Sequence, residues 1–349
     1  MQLTRRQEVR DRRRAAPGGH WKAFVVVASV VLVTALLPAP PVHARSTLGT
    51  PQGFGSWTTG GTGGLAIFVT SLADSGPGTL REAAERPEAA EIRFLVSGTI
   101  VLRTPVRVRS QKTISGRGPN PVTISNQGLV LGQSNVIVDS LRFDGFGDPT
   151  VTDAPEDAIE IRGARRVWIN HNQFSNAADK AIQVTSGTDI TVSGNHFRTQ
   201  SQVFQVGCYA CPDGGAIRLS MYDNYFEGGD RGYRMPTVNY GYVHAWNNYL
   251  ADWANFGMAS TRVGRLLTEA NVFQAGIWRR AAIHDSYTPE DKDPRYGYLR
   301  SVGDLTVNGA VIEEYEPGRV AAPPYTASVR PASMALAESI AAEAGPLLA

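Results

Sequence analysis

Between residues 158 and 273, apolar and polar positions alternate in short runs that restart at a nearly regular interval. Four such runs are Ala158-Ile159-Glu160-Ile161, Ala181-Ile182-Gln183-Val184, Ala216-Ile217-Arg218-Leu219 and Gly241-Tyr242-Val243-His244. A period of two reads as strand, because successive side chains in a strand point to opposite faces. A second strand is predicted at Arg166-Val167-Trp168-Ile169 and again at Asp189-Ile190-Thr191-Val192. Each repeat then reaches one recurring step: Asn172-Gln173-Phe174, Asn195-His196-Phe197, Asn224-Tyr225-Phe226, Asn248-Tyr249-Leu250 and Asn271-Val272-Phe273. The asparagines lie 23, 29, 24 and 23 residues apart. A repeat of this length marks a stacked solenoid, in which each coil buries its apolar face only against its neighbours. Two or three short strands per coil with polar turns predict an all-β fold, a single-domain right-handed parallel β-helix. The asparagine amides are expected to bond to the same turn in the coils above and below, satisfying backbone groups that a buried turn would strand.

The ends of the chain break the pattern. Seven basic residues (Arg5, Arg6, Arg10, Arg12, Arg13, Arg14 and Lys22) precede an apolar run from Ala23 to Leu37, and Val42-His43-Ala44 forms a small-x-small cleavage site. This reads as a secretory signal peptide over residues 1–44. The run falls short of the roughly 20 apolar residues that span a bilayer, so a permanent membrane anchor is disfavoured. Residues 45–349 are then the functional domain, with a tail from about 320, and the expected location is extracellular. A glycine-rich lead-in (Gly53 to Gly64) precedes the strand Ala66-Ile67-Phe68-Val69. Leu80 to Ala90 is predicted as a short helix capped by Thr79, covering the open N-terminal end of the solenoid. Met334 to Ala344 is predicted as a second helix with Ser333 as its cap.

The whole chain carries a formal charge of +2 from 34 basic and 32 acidic residues; without the leader's seven basic and two acidic residues it is −3. The basicity belongs to the leader, so nucleic acid is not an expected partner. Cys208 and Cys211 fall in the repeat interval stretched to 29 residues. In a secreted chain they read as a disulfide closing an inserted loop, since neither a thioredoxin-like context nor two further zinc ligands accompany them.

Arg234-Met235-Pro236 followed by Gly241-Tyr242-Val243-His244-Ala245-Trp246-Asn247-Asn248 resembles the R-x-P and G-x-x-H-x-x-N-N signature of the pectate and pectin lyases, polysaccharide lyase family one. Ser97-Gly98-Thr99-Ile100, Lys112 to Gly118, Asn135 to Phe143 and Val167 to His171 resemble further family segments in the same order, as do Gly53-Phe54-Gly55 and Leu80 to Ala83 at the start. The resemblance runs from about Gly53 to about Phe273. It implies a secreted, monomeric enzyme that cleaves an acidic polysaccharide, pectate or pectin, by β-elimination. In that family Ca²⁺ held by acidic residues, together with a lysine and two arginines, neutralises the uronate and the developing carbanion.

Carried over by position, the resemblance makes Arg234 the catalytic residue and Asp157, Asp179 and Gln183 the calcium ligands. Gln202 stands at the usual lysine position and Asn239 at that of the second arginine, both as substrate-binding residues. Gln183 replaces an acid, and Pro155 lies where another aspartate often sits. Asp157 and Asp179, 22 residues apart, are expected to stack on one face, where two carboxylates favour a cation between them. The plain alternatives are a structural role for Arg234 and a local pairing of Asp179 with Lys180 or Arg231. Trp168, Trp246 and Trp253 are candidates for a sugar groove or, more simply, for the core of the stack. A hydrolase or epimerase on the same scaffold, or a non-catalytic glycan-binding protein, is the competing function.

Overall fold

The computed structural model describes residues 49–146, 157–177, 179–198, 201–208, 216–285 and 296–348. The predicted signal segment, Pro155 and Cys211 lie outside them. Ser46–Ala349 forms one compact unit.

Every pairing between named strands is parallel, and the strands stack in three columns. The first column runs from Val106–Val108 through Ile159–Ile161, Lys180–Val184, Gln202–Val206 and Thr237–Val238 to Arg280–Asp285 and beyond. The second runs from Leu65–Val69 through Val136–Asp139, Val167–Asn170, Ile190–Ser193, Arg218–Tyr222 and Tyr242–Trp246 to Tyr298–Val302. The third carries the Asn-x-Phe steps, from Gly98–Val101 to Leu305–Val307. Two long strands, Ile159–Asn170 and Lys180–Ser193, pass through both of the first two columns, with register shifts around Arg162. The architecture is the parallel β-helix that the repeats predict. One part of the sequence reading is corrected. Ala216 to Leu219 and Tyr242 to His244 do not continue the column of Ile159–Ile161; Leu219 pairs with Ile190, in the second column. The first column continues instead through Val203-Phe204-Gln205-Val206, inside the stretched interval.

In four successive coils the third column contributes one aromatic to a stack, which Leu250 ends. The rings of Phe143, Phe174, Phe197 and Phe226 succeed one another at centroid distances of 5.0, 5.0 and 4.6 Å. Beside them runs the asparagine ladder. Each Oδ1 accepts both the backbone N–H and the Nδ2 of the asparagine one coil earlier, at 2.9 and 3.1 Å between Asn195 and Asn172 and 2.9 and 2.9 Å between Asn271 and Asn248. Each Nδ2 also donates to a neighbouring carbonyl, as Asn224 does to Val192. The ladder does not stop at Asn271. Asp304 Oδ1 accepts from Asn271 N at 2.7 Å and Nδ2 at 2.9 Å, a terminal rung written with a different residue. Trp168, Trp246 and Trp253 are all buried, so they serve the stack and its coverings and not an open groove.

The first helix, α1 (Leu80–Glu85), is shorter than predicted: Arg86 turns extended because Pro87 follows it and disfavours helical backbone in the preceding residue. Thr79 caps it as expected, accepting from Glu82 N, and Leu80, Ala83 and Ala84 join the core. The second helix, α2 (Met334–Glu343), starts at the Ser333 cap.

The outer face of the second column is covered from both ends of the unit. Gly55 and Phe54 donate their N–H groups to Thr191 and Ser220, and Gly61 to Thr113. Tyr325 from the tail lies against Phe54, Trp246 and His244, hydrogen-bonded to Ser220 at 2.6 Å and to His244 Nδ1 at 3.0 Å. Gly53 fits only as glycine: its φ is +82°, and an added Cβ would meet Ser220 Oγ at 2.1 Å.

Candidate active site

The first column carries polar side chains at matching positions of successive coils. Its coils place two rows of them in register. Asp157 accepts the N–H of Lys180 at 3.1 Å, Lys180 pairs with Gln202, and Gln202 with Tyr233. Three residues further along, Glu160 pairs with Gln183, Gln183 with Gln205, and Gln205 with Thr237.

Between these rows the coil of Tyr233 and Thr237 carries one residue too many. Two residues, Val203 and Phe204, separate Gln202 from Gln205, whereas Arg234, Met235 and Pro236 separate Tyr233 from Thr237. Such an extra residue re-aims a side chain, as a β-bulge does. Arg234 takes the left-handed conformation at φ +61°, and its carbonyl still accepts from Phe204 N at 2.8 Å. Its guanidinium reaches back one coil. Nη1 donates to Gln202 Oε1 at 2.5 Å and to Gln205 Oε1 at 2.8 Å, while the group lies over the ring of Tyr233 at 5.3 Å. Both acceptors are neutral amides, so they orient the guanidinium without cancelling its charge. Gln205 was not among the residues expected from sequence. The signal for it was the recurring Ile159-Glu160-Ile161, Ile182-Gln183-Val184 and Phe204-Gln205-Val206 pattern.

The two aspartates do not stack as their spacing of 22 implied. The coil offset is 23 residues, since Ile159 pairs with Ile182, so Lys180 and not Asp179 stands opposite Asp157. Lys180 Nζ lies 2.5 Å from Asp179 Oδ2 and 3.8 Å from Asp157 Oδ1, with Lys180 only 9% exposed. Burial pushes the Asp157 carboxyl up to about 7, with Lys180 opposing and Asp179 and Glu160 adding to the rise. The local pairing of Asp179 with Lys180 is therefore present.

Calcium takes six to eight oxygen ligands at about 2.3–2.6 Å. The expected set does not supply them: an ammonium group sits at the aspartate pair, and Gln183 is buried, its Nε2 without a partner among the described residues. No three carboxylate, histidine or cysteine side chains converge among the described residues. Asn239 also departs from expectation. It is 1% exposed, its Nδ2 donates to Gly207 O at 2.7 Å, and its Oδ1 accepts from Thr261 at 2.7 Å. With both ends of the amide used between coils, it clamps the stack and does not line a groove. Cys208 is disulfide-bonded, as the stretched interval suggested. A separate cavity of about 170 Å³ lies elsewhere, between the tail and the second column, lined by Trp168, His171, Tyr222, Asp223 and Arg330 among others.

A stack of parallel coils carrying an arginine at this position defines a class. A family model described as pectate lyase matches residues 99–346, and the chain belongs to that family. Pectate lyase 1 of Juniperus ashei is 36% identical over 246 residues, covering 64% of this chain and 66% of that relative. Probable pectate lyase 9 of Arabidopsis thaliana is 31% identical over 323 residues, covering 85% and 70%. The matched part thus spans just under two thirds of the length of the first of these relatives. Among solved structures, the cedar pollen allergen jun a 1 superposes with a TM-score of 0.72 at 30% identity, covering 84% of this chain and 92% of that one. A Bacillus pectate lyase solved in complex with trigalacturonate shares the fold, with a TM-score of 0.67 at 22% identity, covering 85% and 98%. Among the described residues no helix is long and apolar enough to cross a membrane.

Proposed function

We propose that the protein is a polysaccharide lyase that cleaves an acidic polysaccharide of linked uronates, pectate or pectin, by β-elimination at Arg234. The observation that carries this reading is the Arg234 guanidinium, projected by one extra residue and held by two neutral amide oxygens. In the reaction the C5 proton leaves, the C4–O4 bond breaks as the C4=C5 double bond forms, and the departing sugar oxygen takes a proton. No water is consumed. The difficulty is the C5 proton, which lies beside a carboxylate that resists further negative charge. A guanidinium aimed at that carboxylate stabilises the enolate-like centre as charge develops. Because the guanidinium stays protonated in proteins, charge stabilisation is the role assigned to Arg234, with proton removal left to a group it positions or to solvent. Gln202, which accepts from Arg234 and pairs with Lys180, is assigned as the substrate-binding residue beside it.

The family generally uses calcium, but the Asp157, Asp179 and Gln183 set does not fit it, and no step here runs through the ion. Residues 1–44 are assigned as a cleaved secretory leader, residues 45–349 as the catalytic unit, and the enzyme as extracellular and monomeric. The test is incubation with polygalacturonate and with methylated pectin, followed by ultraviolet absorbance of the unsaturated product end. A rise in absorbance supports the lyase. New reducing ends without it mean a hydrolase, and binding with neither signal means a glycan-binding protein.

A further inference from the structure

We propose that Lys180 is the resident cation of the Asp157–Asp179 pair: its ammonium holds the place that a divalent ion would need, and the site neutralises uronate without calcium. This rests on the lyase reading above. The geometry is that of a cation already bound. Nζ lies 2.5 Å from Asp179 Oδ2 and 3.8 Å from Asp157 Oδ1, while the backbone N–H of the same residue donates to Asp157 Oδ1 at 3.1 Å. One residue thus satisfies the aspartates from its main chain and its side chain together. The cause is the register. A 23-residue coil puts Lys180, not Asp179, opposite Asp157, and Asp179 then reaches the ammonium from the preceding position.

A divalent ion entering here would have to expel the ammonium from a site where Lys180 is 9% exposed, in exchange for the carboxylates it already satisfies. Among the described residues the next row adds Glu160, which accepts from Arg162 and Thr185, and Gln183, whose coil neighbour Gln205 is committed to Arg234. The ammonium itself is what bars calcium, which would otherwise complete a carboxylate and amide set with water. Lys180 in turn pairs with Gln202, whose Oε1 accepts from Arg234, so the guanidinium reaches the strand next to the one that carries the ammonium. The ammonium's charge is spent on the aspartates, so neutralising the uronate falls to the Arg234 guanidinium.

The test titrates calcium chloride into the chelator-treated protein by calorimetry, alongside Lys180→Gln, which trades the ammonium for an oxygen donor. Wild type is expected to show no saturable heat at millimolar calcium, and Lys180→Gln to gain one-to-one binding. Turnover of polygalacturonate by wild type is expected to be unchanged by chelator, whereas that of Lys180→Gln falls by at least about tenfold when chelator is added. One-to-one binding to wild type that Asp179→Asn abolishes would overturn the proposal. A folded Lys180→Gln that gains no calcium binding would overturn it as well. Lys180→Asn, which also replaces the ammonium with an amide oxygen, repeats the measurement with the same expected gain if the glutamine variant does not fold. If wild type turns over no uronide, the lyase reading fails while the calorimetry still decides who occupies the aspartate pair.

Discussion

Arg234 owes its position to one added residue between Tyr233 and Thr237, and its orientation to two glutamines on the coil before. Arg234→Lys keeps a positive charge but loses the planar group that both amides hold. Its turnover should fall by about 10²–10³-fold, the loss seen when one aimed donor is removed from a charge-stabilising site. A variant as active as wild type in the ultraviolet assay would remove Arg234 from the site. Gln205→Leu leaves the guanidinium with one fewer orienting acceptor, so kcat should fall by about tenfold with KM little changed; equal loss in a variant of the distant Gln133 would show that the effect is not specific. Gln205 was legible only in retrospect. Its Phe204-Gln205-Val206 triplet repeats the Ile182-Gln183-Val184 pattern, but the stretched interval hid which strand continued which column.

The ladder of asparagines is the element that makes one coil answer to the next. Asn224 Oδ1 accepts from Asn195 N and Nδ2, both at 3.0 Å, in a fully buried environment. Asn224→Ala therefore orphans the buried Asn195 N–H besides removing its own bonds, whereas Asn195 Nδ2 keeps Ile169 O and Ser193 O. That orphan costs about 1–3 kcal/mol and the lost bonds of Asn224 add to it, so a loss of about 2 kcal/mol or more is expected in chemical denaturation. Thr79→Ala, which removes only the cap of α1, should cost about 1 kcal/mol. If the two variants were equally stable, the ladder would not be the stronger device. The repeat spacing made five rungs readable in advance. The sixth, Asp304, was not, because its 33-residue distance from Asn271 and its carboxylate broke both halves of the pattern.

At the scale of the whole molecule, His244 ties a coil to the tail. Its Nδ1 meets Tyr325 and its Nε2 lies 3.0 Å from Glu269, and burial pushes its pKa down to about 4. The folded state keeps this imidazole neutral where an unfolded chain, with a pKa near 6.5, takes up a proton. The unfolded state therefore binds more protons between about pH 6.5 and pH 4, and stability falls as pH drops through that window. The full effect is on the order of 3 kcal/mol, reached near pH 4 and constant below it. Denaturant midpoints measured from pH 7 to pH 4 should show this slope, and His244→Gln should flatten it. An unchanged slope in the variant would assign the pH dependence to other groups.

What the sequence determined alone is whatever a period can encode. Alternation of two gave strands, a return every 23 or so residues gave the stack, and Asn-x-Phe gave the buried turn, because each of these is a local demand repeated in register. Motif positions likewise pointed to Arg234. Only the tertiary structure decided which residues face one another across coils, since that depends on the offset between strands. An offset of 23 and not 22 set Lys180 opposite Asp157, one extra residue swung Arg234 onto Gln202 and Gln205, and Asn239 turned inward to satisfy Gly207 and Thr261. A single-residue shift is almost invisible in a repeat pattern. In a stack it decides whether a position holds a carboxylate or an ammonium.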